Sequence, residues 1–179
     1  MEGNSVVVEI ASIVTDEMRS IVGKEMRRVV SYPVTAQDIR RWVIAVWYPE
    51  TPPRQYWDEE YARQAPAGSL VAPEDFNPFA WATPEPALDG PQVSQTAFSE
   101  AELGVSPPAY SAFILSEINT SHSGIAMRPG DVITGLYSIT KYFEREGRMG
   151  HMLYTTLTQT LTNQNEDWIR STDSVFIRY

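Results

Sequence analysis

The sequence predicts an α+β fold in which a sheet of about five antiparallel strands wraps around a central helix. Three observations point there. The last third of the chain holds four β-rich segments separated by turns. One strongly amphipathic helical pattern lies upstream, at Thr35 to Trp47, and a β-branched segment just before it offers a fifth strand. A sheet of this size needs one face covered, and the helical part is the only cover available.

The elements follow in order. Asp16 to Val22 (DEMRSIV) reads as a short helix, with acids in its first turn and Gly23 behind it. Met26 to Val34 (MRRVVSYPV) is rich in β-branched and aromatic residues and reads as a strand. Thr35 is placed to cap the next helix, with Asp38 three residues on in a capping-box arrangement. Ile39, Trp42, Val43, Val46 and Trp47 recur at helical spacing and form one apolar face, and Pro49 ends the run. DEEYARQ, from Asp58 to Gln64, suits a short helix, and Gly68 resets the chain.

PEDFNPFAW is ambiguous: Pro73, Glu74 and Asp75 suit a helix start, whereas Pro78 disturbs it. Residues 83–109 contain five prolines and read as a long surface excursion, with one helical turn near Phe98 to Leu103. Beyond it lie AFILSEINTSHSGIAM, VITGLYSITKYFERE, HMLYTTLTQTLTNQ and WIRSTDSVFIRY, separated by RPGD, EGRMG and NQNED. The third segment alternates, with Met152, Tyr154 and Thr156 to Thr162 in steps of two opposite Leu153, Thr155, Leu157, Gln159 and Leu161. Tight turns between consecutive strands predict antiparallel pairing of each strand with the next.

The bulk composition sets limits. With 179 residues the chain is large enough for one domain, 1–179, with the excursion at 83–109 as an insertion. A net charge of −9 argues against nucleic acid and against an anionic membrane surface as partners. There are no cysteines, which removes thiolate chemistry and Cys-ligated zinc. The N-terminus has no basic region before its apolar patch, and no run approaches the ~18 apolar residues of a span, so a cytoplasmic location is expected.

The segments SYPVTAQDIRRW (31–42), YWDEEYAR (56–63), MRPGDVI (127–133) and YFEREGRMG (142–150), with the closing strands, carry a resemblance. In order and spacing they resemble the MaoC-like hotdog dehydratases and hydratases, in particular their FAS1-like dehydratase domain, over roughly residues 20 to 179. The resemblance implies a hotdog fold and reversible hydration of a 2-enoyl thioester carried on coenzyme A or a carrier protein. It implies no other cofactor. In that family a catalytic Asp and His, in a D-x-N-P-x-H pattern, position the water and move the proton. A backbone N–H at the start of the central helix polarises the thioester oxygen.

The matched positions depart from that pattern. With Asp58 aligned to the acid that follows the family His, the His position holds Tyr56 and the Asp position Thr51. The family's His-Gly at the helix start is matched by Pro73-Glu74, and proline has no N–H to offer. The resemblance therefore implies a non-catalytic subunit whose partner, a second MaoC-like hotdog chain with Asp and His, completes a heterodimer or heterotetramer. Two alternatives stay open. A self-sufficient homodimer would use Glu50 with Tyr56, or His122, and a non-enzymatic module would bind acyl thioesters without turnover.

Each candidate also has a plainer reading. Glu50 reads equally as a solvated loop acid, and Tyr56 as packing against Trp47 or Trp57. Of the two histidines, His122 in NTSHS is the better candidate and His151 follows a glycine turn; neither has the carboxylate spacing of a metal site. Arg128 in RPGD and Lys141 are candidates for a coenzyme A phosphate, against a purely geometric role for that turn.

Overall fold

The computed structural model describes residues 11–80, 100–148 and 150–179. Most of the 83–109 excursion therefore lies outside the described residues. Three α-helices, α1 (Asp16–Ser20), α2 (Ala36–Trp47) and α3 (Glu59–Gln64), precede most of the sheet. The strands are β1 (Arg27–Val30), β2 (Phe113–His122), β3 (Thr134–Gly147), β4 (Gly150–Thr162) and β5 (Trp168–Arg178). They form one antiparallel sheet in the order β1-β3-β4-β5-β2.

That order corrects one expectation. β2 does not pair with β3, the next strand in sequence, but with β5 on the far edge. The RPGD turn between them is not a hairpin. Its Gly130 N–H donates to the Val34 carbonyl at 2.8 Å, and the Val34 N–H returns to the Asp131 carbonyl at 2.8 Å. The connection thus crosses beneath the sheet, ties to the segment before α2, and carries Met127 and Ile133 into the core. β1 is also shorter than the expected 26–34 strand, because Ser31 to Val34 turn the chain toward α2.

The α2 start forms as its sequence requires. Thr35 accepts from the Asp38 N–H at 3.1 Å, and the Asp38 carboxylate accepts from the Thr35 N–H at 3.1 Å, which completes the capping box. Ile39 and Val43 are buried, and Ile39 joins Val34, Phe76, Met127, Ile133, Leu161 and Ile169 in the main core. A second cluster sits at the other end of the sheet, where Met18 of α1 and Val14 pack on Leu153. Leu153 and Leu161 are an even number of residues apart on β4, so one face of the sheet, the inner face, carries both clusters.

Beside this second cluster, where Arg178 stands opposite Leu153, the inner face holds a buried ion pair. Arg178 Nη2 lies 2.7 Å from Glu100 Oε1 and 2.5 Å from Thr155 Oγ1, and the Tyr142 hydroxyl donates to the same Glu100 oxygen at 3.0 Å. Both charged side chains are almost free of solvent, at 1% and 0% exposure. Burial, with Glu100 alongside, pushes the Tyr142 phenol above its ordinary range. A one-turn 3-10 helix at Ala101–Leu103 follows, with Gly104 in the left-handed region at its end, within the segment where the sequence predicts a helical turn. No helix among the described residues is long and apolar enough to cross a membrane.

Candidate functional site

The segment leaving α2 is braced by backbone and aromatic contacts. The Glu50 N–H donates to the Trp47 carbonyl at 2.7 Å, and the Trp57 indole N–H donates to the Pro52 carbonyl at 2.9 Å. Tyr56 is half-buried, with its ring 5.7 Å from that of Trp47 and packed against the main core. Asp58 caps α3, accepting from the Tyr61 N–H at 3.0 Å, and pairs with Arg54 at 2.6 Å. The Tyr61 N–H first, and Arg54 second, hold its carboxyl below the usual range. Thr51 and Glu50 are exposed, and Glu50 borders an open cavity of about 400 Å³ with Val46, Trp47, Tyr48 and Pro49.

At Pro73 the chain forms turns through Ala80, closed by the Phe76 N–H on the Pro73 carbonyl at 3.0 Å. Asn77, whose role the sequence leaves open, accepts from the Phe79 N–H through Oδ1 at 3.0 Å and shapes the second of these turns. His122, at the end of β2, borders a separate cavity of about 50 Å³ whose walls include Pro73, Glu74, Met127 and Ile169. Arg170 stands opposite His122 in the β2–β5 register and donates from Nη1 to the Glu74 carbonyl at 2.7 Å. Burial pushes the Arg170 guanidinium down, with Asp75 and Tyr137 opposing.

The structure therefore does not gather Glu50, Tyr56 and His122 around one space: Glu50 and His122 border different cavities, and Tyr56 is a packing residue. Arg128 and Lys141 are likewise apart. Arg128 donates to the Ala67 carbonyl at 3.1 Å and to the Ser69 hydroxyl, and borders a cavity of about 300 Å³ with Glu59 and Arg63. Lys141 borders another, of about 470 Å³, with Arg19, Tyr142 and Glu144. His151 sits 3.3 Å from Glu144 and 3.7 Å from Glu146. Among the described residues no three His, Cys, Asp or Glu side chains converge in a way that could hold a metal ion. Sequence reasoning did not single out Arg170, one of two arginines in β5, because its place opposite His122 depends on the strand register.

A family model described as the FAS1-like dehydratase domain region matches residues 20–172. The chain belongs to that family. Its fold is shared with several solved structures. The ChsH1-ChsH2 complex from Mycobacterium tuberculosis superposes with a TM-score of 0.66 at 13% identity, covering 91% of this chain and 89% of that one. The HadBC 3R-hydroxyacyl-ACP dehydratase complex from the same organism gives 0.52 at 15% identity, covering 87% and 99%. A MaoC-like dehydratase from Rhodospirillum rubrum gives 0.51 at 17% identity, covering 86% and 90%. No curated protein matches the chain in sequence. At these identities the structural likeness establishes the hotdog fold of this FAS1-like dehydratase domain.

Proposed function

We propose that this FAS1-like dehydratase domain is the non-catalytic half of a heteromeric enoyl-thioester hydratase or dehydratase. In this reading it shapes the acyl site, and a second hotdog subunit supplies the Asp and His. The observation that carries the reading is the braced segment after α2. Water addition needs an acid–base pair within hydrogen-bond reach of one water. At the matched positions stand Thr51, which does not titrate, and Tyr56, whose ring is committed to Trp47 and the core. Pro73 has no N–H with which to polarise a thioester oxygen.

The sheet edge supports a partner of the same fold. Among the described residues β2 is paired on one side only, all ten of its residues are exposed, and it displays Phe113, Ile114, Leu115 and Ile118 at 41–58% exposure. An edge of this length and apolarity is a template for pairing with another sheet. Two of the structures that share the fold are complexes of hotdog subunits, ChsH1 with ChsH2 and HadBC. The substrate is read as a thioester of coenzyme A or of a carrier protein, and Arg128, in a cavity where Arg63 is paired with Glu59, is the candidate for a phosphate of that carrier.

The test is hydration of a 2-enoyl-CoA by the purified chain, alone and mixed in turn with candidate hotdog subunits from its genomic neighbourhood that carry an Asp–His pair. Turnover only in the mixture is expected. Turnover by the chain alone would overturn the reading.

A further inference from the structure

The registers of β2 with β5 and of β5 with β4 define a continuous row on the inner face. Leu115 stands opposite Phe176, Ile118 opposite Ser174, Thr120 opposite Thr172, and His122 opposite Arg170. The same four β5 residues face Thr155, Leu157, Gln159 and Leu161, the inward side of β4. The row therefore changes character along its length. Leu115 and Ile118 are 47% and 58% exposed and present an apolar track. Past a bulge after Leu115, the hydroxyls of Thr120 and Thr172 meet at 3.3 Å, and the row ends on exposed His122. At the rise of a β-strand, Leu115 and His122 are about 20 Å apart.

The polar end is built rather than incidental. His122 faces the 50 Å³ cavity beside Pro73 and Glu74. Behind it, Arg170 holds the Glu74 carbonyl, and its buried Nε has no hydrogen-bond partner among the described residues. A buried donor without a partner costs stability, so its retention on the strand position opposite His122, which itself borders the cavity, is a reason to look for a ligand oxygen near that pair. Arginine keeps its charge in this setting, and histidine offers an N–H in either protonation state.

We propose that this row binds the apolar body of an acyl group along Leu115 and Ile118, with His122, backed by Arg170, receiving a carbonyl or carboxylate oxygen at its end. The proposal rests on the reading of the chain as an acyl-thioester half-site and assigns the part of that site on this subunit. The oxygen has two sources, the thioester carbonyl itself or an acid group at the far end of the acyl chain.

Calorimetric titration of the full chain separates them, with dodecanoyl-CoA, the CoA mono-thioester of dodecanedioic acid and dodecan-1-ol as probes. In His122→Ala, binding weaker by about tenfold for both thioesters alike, with the alcohol unchanged, assigns the thioester carbonyl. A similar loss confined to the dioic thioester assigns the distal carboxylate. Ile118→Asp weakens all three probes. His122 is exposed, so its replacement leaves the fold intact, and Arg170→Met is read beside it by the same titration. Unchanged affinities in His122→Ala, or no binding by the wild-type chain, overturn the proposal. Turnover with and without the catalytic partner is read separately, so loss of this subsite is distinguishable from failure of the two-subunit reading.

Discussion

Glu100 and Arg178 meet with almost no water around them, and a buried charge left without its partner is costly. Glu100→Ala is expected to destabilise the domain by about 3–5 kcal/mol, measured as a fall in the urea midpoint at unchanged slope. The sequence showed only a C-terminal arginine and a glutamate at the far end of a proline-rich segment, so this contact was not legible there. Glu144 gives a second prediction. Burial alone would raise its carboxyl, but the Ser12 hydroxyl, the Ile13 N–H and His151 together hold it low. A depressed folded-state value means that the unfolded chain binds more protons between that value and 4.5, the ordinary one. The stabilisation is therefore present above about pH 4.5 and is lost as the pH falls through the folded value. Glu144→Gln is expected to flatten the acid limb of a stability–pH curve while leaving its shape near neutrality unchanged.

At the scale of elements, α2 and β2 behave differently under substitution. The reciprocal bonds of Thr35 and Asp38 fix where α2 begins, and Thr35→Ala is expected to cost about 1 kcal/mol in thermal or urea unfolding. Ile114 faces away from the inner row and is 47% exposed. Ile114→Lys places an edge-protecting charge on β2, so it is expected to leave the monomer's stability within about 0.5 kcal/mol of wild type. The same change weakens assembly with the partner subunit, read by light scattering of the mixture. The capping box, the apolar stripe of α2 and the alternation along β4 were all visible in the sequence, because each is set by neighbours a few residues apart. The pairing of β2 was not. A turn such as RPGD satisfies the local pattern of a hairpin and of a crossover alike, and the bonds that decide between them run to Val34, nearly a hundred residues back.

The whole molecule keeps the hotdog sheet and the braced segment beside it while its matched positions carry Thr51, Tyr56 and Pro73. The family and its hotdog fold were therefore readable from short segments in order, while the absence of an acid–base pair at the matched positions belongs to the proposed reading. The inner row was not readable, since Arg170 and His122 become neighbours only through the β2–β5 register. In the proposed reading the chemistry resides on the partner. The most direct measurement is enoyl-CoA hydration by the two-subunit complex, comparing Tyr56→Phe in this chain with His→Ala in the partner's D-x-N-P-x-H segment. Turnover within about threefold of wild type is expected for Tyr56→Phe, a change of under about 1 kcal/mol in transition-state stabilisation, and loss of at least about a hundredfold for the partner's His→Ala. A hundredfold loss from Tyr56→Phe, with the partner variant still active, would contradict that reading.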